Sequence, residues 1–124
     1  MAKVFLIDDD SNIRTLYGGQ FQRHGFDVKV VLNGKQALEA LSTYKPEVIL
    51  LDMMMPEMDG MVFLKELRTN SDANNIPVII LTNLEATDDV LEGILKYKPA
   101  YYMLKFNTAP EDIVQKINDV LQVS

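Results

Sequence analysis

Five short apolar runs alternate along the chain with segments whose apolar residues recur at helical spacing. The runs span residues 4–7, 28–32, 48–51, 78–81 and 101–104. Several are apolar at consecutive positions, which is typical of parallel strands covered on both faces. Because the connections are short and crossovers between parallel strands are right-handed, helices should cover both faces of one sheet. The sequence therefore predicts an α/β fold, a doubly wound (βα)5 parallel sheet of five strands.

Helix signals fill each gap between the runs. The first helical segment follows Ser11, which suits an N-cap, and stops at Gly25. The second follows Asn33 and Gly34, and the last begins at about Pro110. The apolar positions that define one face of each predicted helix are Ile13, Leu16, Tyr17, Phe21, Ala37, Leu38, Leu41, Leu64, Leu67, Val90, Leu91, Ile94, Leu95, Ile113, Val114, Ile117, Val120 and Leu121.

Composition narrows the class of protein. A length of 124 residues, of which 48% are apolar and 24% charged, predicts one globular domain over residues 1–124. The net charge of -6, with scattered Lys and Arg, argues against direct binding to nucleic acid or to anionic membranes. The absence of Cys excludes disulfides and thiolate metal sites and favours a reducing cytoplasm. The apolar run at 4–7 is too short for a signal peptide or a membrane span.

Polar residues at the ends of the runs are the candidates for a functional site, because ligands of such sheets bind outside the carboxyl ends of the strands. These residues are Asp8, Asp9, Asp10, Asp52, Thr82 and Lys105. Two carboxylates about 4 Å apart repel by about 4 kcal/mol at an effective dielectric constant of 20, so the aspartates indicate a bound cation. Oxygen ligands without Cys favour a hard ion such as Mg²⁺. Taken singly, each residue has a plainer explanation, such as a helix cap or a solvated lysine.

The single histidine does not suggest a phosphohistidine carrier. His24 precedes Gly25 at a predicted helix C-terminus, where a cationic side chain suits the helix dipole. We therefore interpret His24 as structural.

These residues together resemble the receiver domain of two-component response regulators over nearly the whole chain. The matching positions are Asp8 and Asp9 after the first run, Asp52 after the third, Pro56, Asp59 and Gly60 downstream, Thr82 at the end of the fourth run, and Lys105 with Tyr102 three residues earlier. The resemblance implies a flavodoxin-like sheet with strand order 2-1-3-4-5.

The resemblance also implies a role for each site residue. Asp52 would accept a phosphoryl group from a sensor histidine kinase or a phosphotransfer protein. Lys105 would pair with a phosphoryl oxygen, and Thr82 and Tyr102 would reorient as the switch. The fourth helix, fifth strand and fifth helix would form the face that binds a protein target or a second copy. The metal site implied for Mg²⁺ consists of Asp8 through a water, Asp9, Asp52 and the main-chain carbonyl of Met54.

The sequence departs from the family pattern at three places. Phe106 follows Lys105 where the family has a proline with a cis bond, and a cis bond before a non-proline costs about 3 to 4 kcal/mol. The loop therefore either tolerates strain or runs trans. Asn83 follows Thr82 where Ala or Gly is common, and Lys98 with Pro99 replaces the usual Gly-Ala.

Two alternatives remain open at this stage. An aspartate-based phosphohydrolase would use Asp8 as nucleophile and Asp10 as acid and base. The chain has no cap insertion for it, and Ser11 with Asn12 does not continue its motif. A receiver-like module that binds partners without being phosphorylated fits the departures at Asn83 and Phe106.

Overall fold

Five parallel strands form one sheet in the order β2-β1-β3-β4-β5, which confirms the predicted topology. The computed structural model describes residues 2–53, 60–70, 72–83 and 87–122, apart from the side chains of Ile13 and Phe106. The strands are β1 (Lys3–Ile7), β2 (Asp27–Val31), β3 (Val48–Leu51), β4 (Val78–Thr82) and β5 (Tyr101–Leu104). Because β1 and β3 are neighbours, with Ile7 paired to Leu51, the residues that follow them emerge side by side.

Helices cover both faces of the sheet. They are α1 (Ser11–Arg23), α2 (Gly34–Ala40), α3 (Gly60–Thr69), α4 (Asp88–Leu95) and α5 (Pro110–Gln122), and a 3₁₀ turn occupies Lys105–Asn107. No helix in the described part of the chain is long and apolar enough to span a membrane.

Two apolar clusters flank the sheet, one on each face. Phe5 and Ile7 of β1 belong to the cluster that contains residues of α3 and α4, whereas Val4 and Leu6 belong to the cluster that contains residues of α1 and α5. Since successive side chains of a strand point to opposite faces, both faces of β1 must be apolar. This explains the uninterrupted apolar runs in the sequence.

Several local predictions were wrong by a residue or by a face. The N-cap of α1 is Asp10 and not Ser11, because the Asp10 side chain accepts a hydrogen bond from the Asn12 amide and Ser11 already lies in the helix. Strand β2 ends at Val31, so Leu32 lies outside it. Leu16 is 52% exposed because the part of α1 that faces the sheet is centred on Tyr17 and Phe21.

The break between α4 and β5 shows how the backbone accommodates one departure from the family pattern. Lys98 has a φ of 54°, in the left-handed region where glycine is favoured, and its amide donates to the Leu95 carbonyl. A lysine therefore occupies the conformation that the usual Gly adopts more easily.

Candidate functional site

The polar residues predicted from the strand ends do converge. Of the described residues, the buried polar or charged ones are Asp8, Asp52 and Thr82, at 1%, 5% and 0% exposure. The Asp52 amide donates to the Ile7 carbonyl at 3.0 Å, so the ladder between β1 and β3 continues into the site. The central strands therefore fix the backbone on which the two aspartates stand.

Both oxygens of the Asp52 carboxylate are engaged. The Thr82 hydroxyl donates to Asp52 Oδ1 at 2.8 Å, and Lys105 Nζ lies 3.3 Å from Asp52 Oδ2. Lys105 Nζ is closer still to Asp8 Oδ2, at 2.6 Å. The ammonium thus bridges the two buried carboxylates, and its shorter contact is with Asp8.

A divalent cation fits the donor set at this edge. One carboxylate oxygen from each of Asp8, Asp9 and Asp52 lies within 4.8 Å of the other two, and Asp9 is exposed. The ion pairs seen here among the described residues join Asp8 and Asp52 to the Lys105 ammonium, so a 2+ ion would balance the charge that three carboxylates and one ammonium leave. Met54, whose carbonyl is expected to complete the set, lies outside the described residues, as do Pro56 and Asp59.

Burial and ion pairing shift the pKa values of Asp8 and Lys105 in opposite directions. Burial raises the pKa of the Asp8 carboxyl, and the hydrogen bonds from Lys105 and from the Asp10 amide only partly offset it. Burial alone would lower the pKa of Lys105, but its hydrogen bond to Asp8 and the charges of Asp52 and Asp8 outweigh burial, so that pKa is raised. Lys105 is therefore held firmly as a cation.

Asp10 has a structural role beside the site. Its amide donates to Asp8 Oδ1 at 2.9 Å, and its Oδ1 accepts from the Asn12 amide at 2.9 Å. The side chain therefore caps α1, as aspartates at N-cap positions commonly do. One carboxylate of the Asp8 and Asp10 pair is thus already used as a cap, which weakens the phosphohydrolase alternative.

The loop that carries Lys105 reaches the site without a proline. No cis peptide bond occurs among the described residues, so Lys105 and Phe106 are joined by a trans bond. The Thr108 hydroxyl donates to the Leu104 carbonyl at 2.7 Å and steadies the 3₁₀ turn. Of the two conformations left open by the sequence, the loop therefore has the trans one, and Lys105 still reaches both carboxylates.

Gly60 has a positioning role that sequence reasoning missed. A Cβ on Gly60 would lie 2.6 Å from Met53 Cα and 2.7 Å from the Asp52 carbonyl oxygen, and the Gly60 amide donates to the Met53 carbonyl. Only a residue without a side chain fits there. Asp59 and Gly60 match the family pattern, but no local pattern in the sequence signals the close approach of Gly60 to Asp52.

Tyr102 lies on β5 and is half-buried against the cluster that includes Phe63, Leu64 and Ile94. Burial raises the pKa of its phenol. Asn83, directly after Thr82, is exposed.

Comparison with known proteins identifies the family. The family model of the response regulator receiver domain matches residues 4–118. The chain belongs to this family. It is 32% identical over 119 residues to the probable transcriptional regulator ycf27 of Cyanidium caldarium, with 96% of this chain and 46% of that protein covered. The chain thus spans about half the length of this relative.

Solved receiver domains share the fold closely. The receiver domain of Francisella response regulator 1452 is 34% identical, with a TM-score of 0.87 and 98% of each chain covered. The BeF3-activated N-terminal receiver domain of Klebsiella pneumoniae RstA is 29% identical, with a TM-score of 0.85 and 97% of this chain and 98% of that chain covered.

Proposed function

We propose that this domain is a phosphorylation-dependent switch whose phosphoryl acceptor is Asp52. The observation that supports this most is the setting of Asp52 at the end of a central strand, between the Thr82 hydroxyl and the Lys105 ammonium and beside two further aspartates. A histidine kinase or a phosphotransfer protein is the proposed donor, because the family pairs receivers with phosphohistidine.

The proposed reaction is a displacement at phosphorus. A carboxylate oxygen of Asp52 attacks the phosphorus, the P–O bond forms as the P–N bond to the donor imidazole breaks, and the imidazole keeps the electron pair. Lys105 supplies positive charge for the phosphoryl oxygens. Asp8, Asp9 and Asp52, with the carbonyl of Met54, would hold Mg²⁺, which neutralises the carboxylates and orients the phosphoryl oxygens when bound.

Phosphorylation would force two contacts to change. The Thr82 hydroxyl now donates to Asp52 Oδ1, and a phosphoryl group on Asp52 would offer it a stronger acceptor. Lys105 would exchange its contact with Asp52 Oδ2 for a phosphoryl oxygen, and Tyr102 would follow Thr82 inward. A shift of population from 1:99 to 99:1 requires about 5.5 kcal/mol of differential interaction between the two states.

The output is proposed to pass through α4, β5 and α5. Val90 is 41% exposed and Leu95 53% exposed on α4, which gives this face apolar side chains for a protein target or a second copy. We also propose that the domain is located in the cytoplasm.

Beryllofluoride with Mg²⁺, a mimic of the phosphoryl group, tests the proposal by titration calorimetry. We expect the wild-type domain to bind it, Asp52→Asn to abolish binding, and Asp10→Asn to bind like the wild type. Asp10→Asn is the matched control, because asparagine also caps helices and Asp10 is not a proposed ligand. Absence of binding to the wild type would favour a module that is not phosphorylated. Unchanged binding by Asp52→Asn would remove Asp52 as the acceptor.

A further inference from the structure

Arg68 joins two loops at the edge of the sheet opposite the aspartates. From the last turn of α3, its guanidinium donates to the carbonyls of Ile76 at 2.8 Å and Asn74 at 3.2 Å, both between α3 and β4. It also donates to the carbonyls of Tyr97 at 2.7 Å and Lys98 at 3.3 Å, just after α4. One side chain therefore fastens the end of α4 to the body of the domain.

The chemistry of this contact is specific to arginine. The planar guanidinium presents five N–H donors in a fixed fork, whereas a lysine ammonium is a single point with three donors and cannot span both loops in the same way. The carbonyls of Tyr97 and Lys98 follow the C-terminus of α4, where a cation also suits the helix dipole.

Apart from this contact, helix α4 is only lightly packed against the rest of the domain. Of its eight residues, all of which the structure describes, Ile94 alone is buried. Thr82, which contacts Asp52, precedes the N-terminal end of α4 along the chain. Arg68 fastens the C-terminal end. The two ends of one helix therefore meet two different constraints.

We propose that Arg68 is a positioning residue that acts as a fixed pivot for α4. It holds the C-terminal end of the helix in both the resting and the phosphorylated state, so that phosphorylation displaces the N-terminal end. This inference rests on the proposed function of Asp52 as the switch.

Hydrogen exchange of single amides, followed by NMR, tests the pivot in the wild-type protein. The Leu91 amide, bonded to the Thr87 carbonyl, reports on the N-terminal end of α4. The amides of Tyr97 and Lys98, bonded to the Ile94 and Leu95 carbonyls, report on the C-terminal end. When beryllofluoride and Mg²⁺ are added, we expect the exchange rate of Leu91 to change, while those of Tyr97 and Lys98 stay within about twofold. An equal change at both ends overturns the pivot.

Arg68→Lys, with Arg23→Lys as the matched control, tests the residue itself. Arg23 also lies in the last turn of its helix but donates to the Gln20 side chain. In Arg68→Lys without ligand, we expect Tyr97 and Lys98 to exchange about tenfold faster, the factor that corresponds to about 1.4 kcal/mol in the opening equilibrium. Arg23→Lys should exchange like the wild type. Unchanged exchange in Arg68→Lys would overturn the inference.

The affinity for beryllofluoride separates a pivot from other roles. A contact that is present in both states stabilises both equally, so Arg68→Lys should bind within about twofold of the wild type. Tighter binding would make Arg68 a latch of the resting state, and weaker binding would make it part of the activated state; either result overturns the pivot. If the wild type itself does not bind beryllofluoride, the proposed function fails and the pivot with it, whereas the exchange rates without ligand still show whether Arg68 fastens α4.

Discussion

Among single residues, Asp8 carries the clearest conflict between burial and charge. It is 1% exposed, its pKa is raised by burial, and its negative charge lies near that of Asp52. Lys105 stabilises it at 2.6 Å but is shared with Asp52. Without a metal, the site therefore keeps a carboxylate that would be easier to accommodate as a neutral group.

We predict that Asp8→Asn stabilises the metal-free protein by about 0.5 to 2 kcal/mol at pH 7. A pKa raised above 3.8 means that the folded protein holds the Asp8 proton more tightly than the unfolded chain does. The contribution of Asp8 to stability should therefore be present below about pH 3.8 and be lost as the pH rises through the raised pKa, and the variant should lack this loss. Urea unfolding in EDTA at several pH values measures the difference.

Asp10→Asn is the control for this experiment. It removes a carboxylate from the same stretch of chain but keeps the cap of α1. We expect it not to gain the stability at pH 7 that Asp8→Asn gains. If Asp8→Asn is less stable than the wild type at pH 7 in EDTA, the ion pair with Lys105 outweighs the burial of Asp8, and our interpretation of the charge balance is wrong.

Among the elements, the sequence predicts the buried face of α5 correctly but not that of α4. The face of α5 on which Ile113, Val114 and Ile117 are buried follows directly from its apolar spacing. Helix α4 has the same kind of spacing, yet Val90 and Leu95 are exposed. Apolar periodicity indicates which side of a helix faces the sheet, but the width of the buried stripe depends on neighbouring elements that the local sequence does not specify.

Replacing either of two glycines at helical positions with alanine should change the stability of the protein, but in opposite directions. Gly60→Ala, at the first residue of α3, places a Cβ 2.6 Å from Met53 Cα and should cost about 1 to 3 kcal/mol. Gly19→Ala, inside α1, meets no atom within 4 Å among the described residues and should stabilise by about 0.5 to 1 kcal/mol. Thermal and urea unfolding measure both changes.

The same two variants distinguish an effect on stability from an effect on the geometry of the site. Because the added Cβ of Gly60→Ala presses on the backbone of Asp52 and Met53, binding of beryllofluoride should also weaken, whereas Gly19→Ala should bind normally. Normal stability and normal binding in Gly60→Ala would show that the start of α3 shifts without cost, and the positioning role of Gly60 would be withdrawn.

For the whole molecule, the sequence predicts the sheet topology better than it predicts individual side-chain contacts. The alternation of apolar runs predicts five parallel strands, and the rule for strand ends brings Asp8, Asp52, Thr82 and Lys105 together. The strand order came from family resemblance. No pattern in the sequence predicts that Lys105 contacts Asp8 more closely than Asp52, or that Arg68 donates to four carbonyls. Such contacts join residues far apart in sequence, so packing decides them.

A metal that binds at the folded sheet edge must stabilise the whole fold, because Asp8, Asp9 and Asp52 meet only in the native state. We therefore predict that Mg²⁺ raises the free energy of unfolding by about 2.7 kcal/mol at a concentration one hundred times its dissociation constant. Asp9→Asn should abolish most of this gain, whereas Asp72→Asn, an exposed aspartate on the loop after α3, should keep it. Urea unfolding across a Mg²⁺ titration, with Na⁺ at matched ionic strength, measures the effect. Equal stabilisation of all three proteins would mean that Mg²⁺ only screens the net charge of -6.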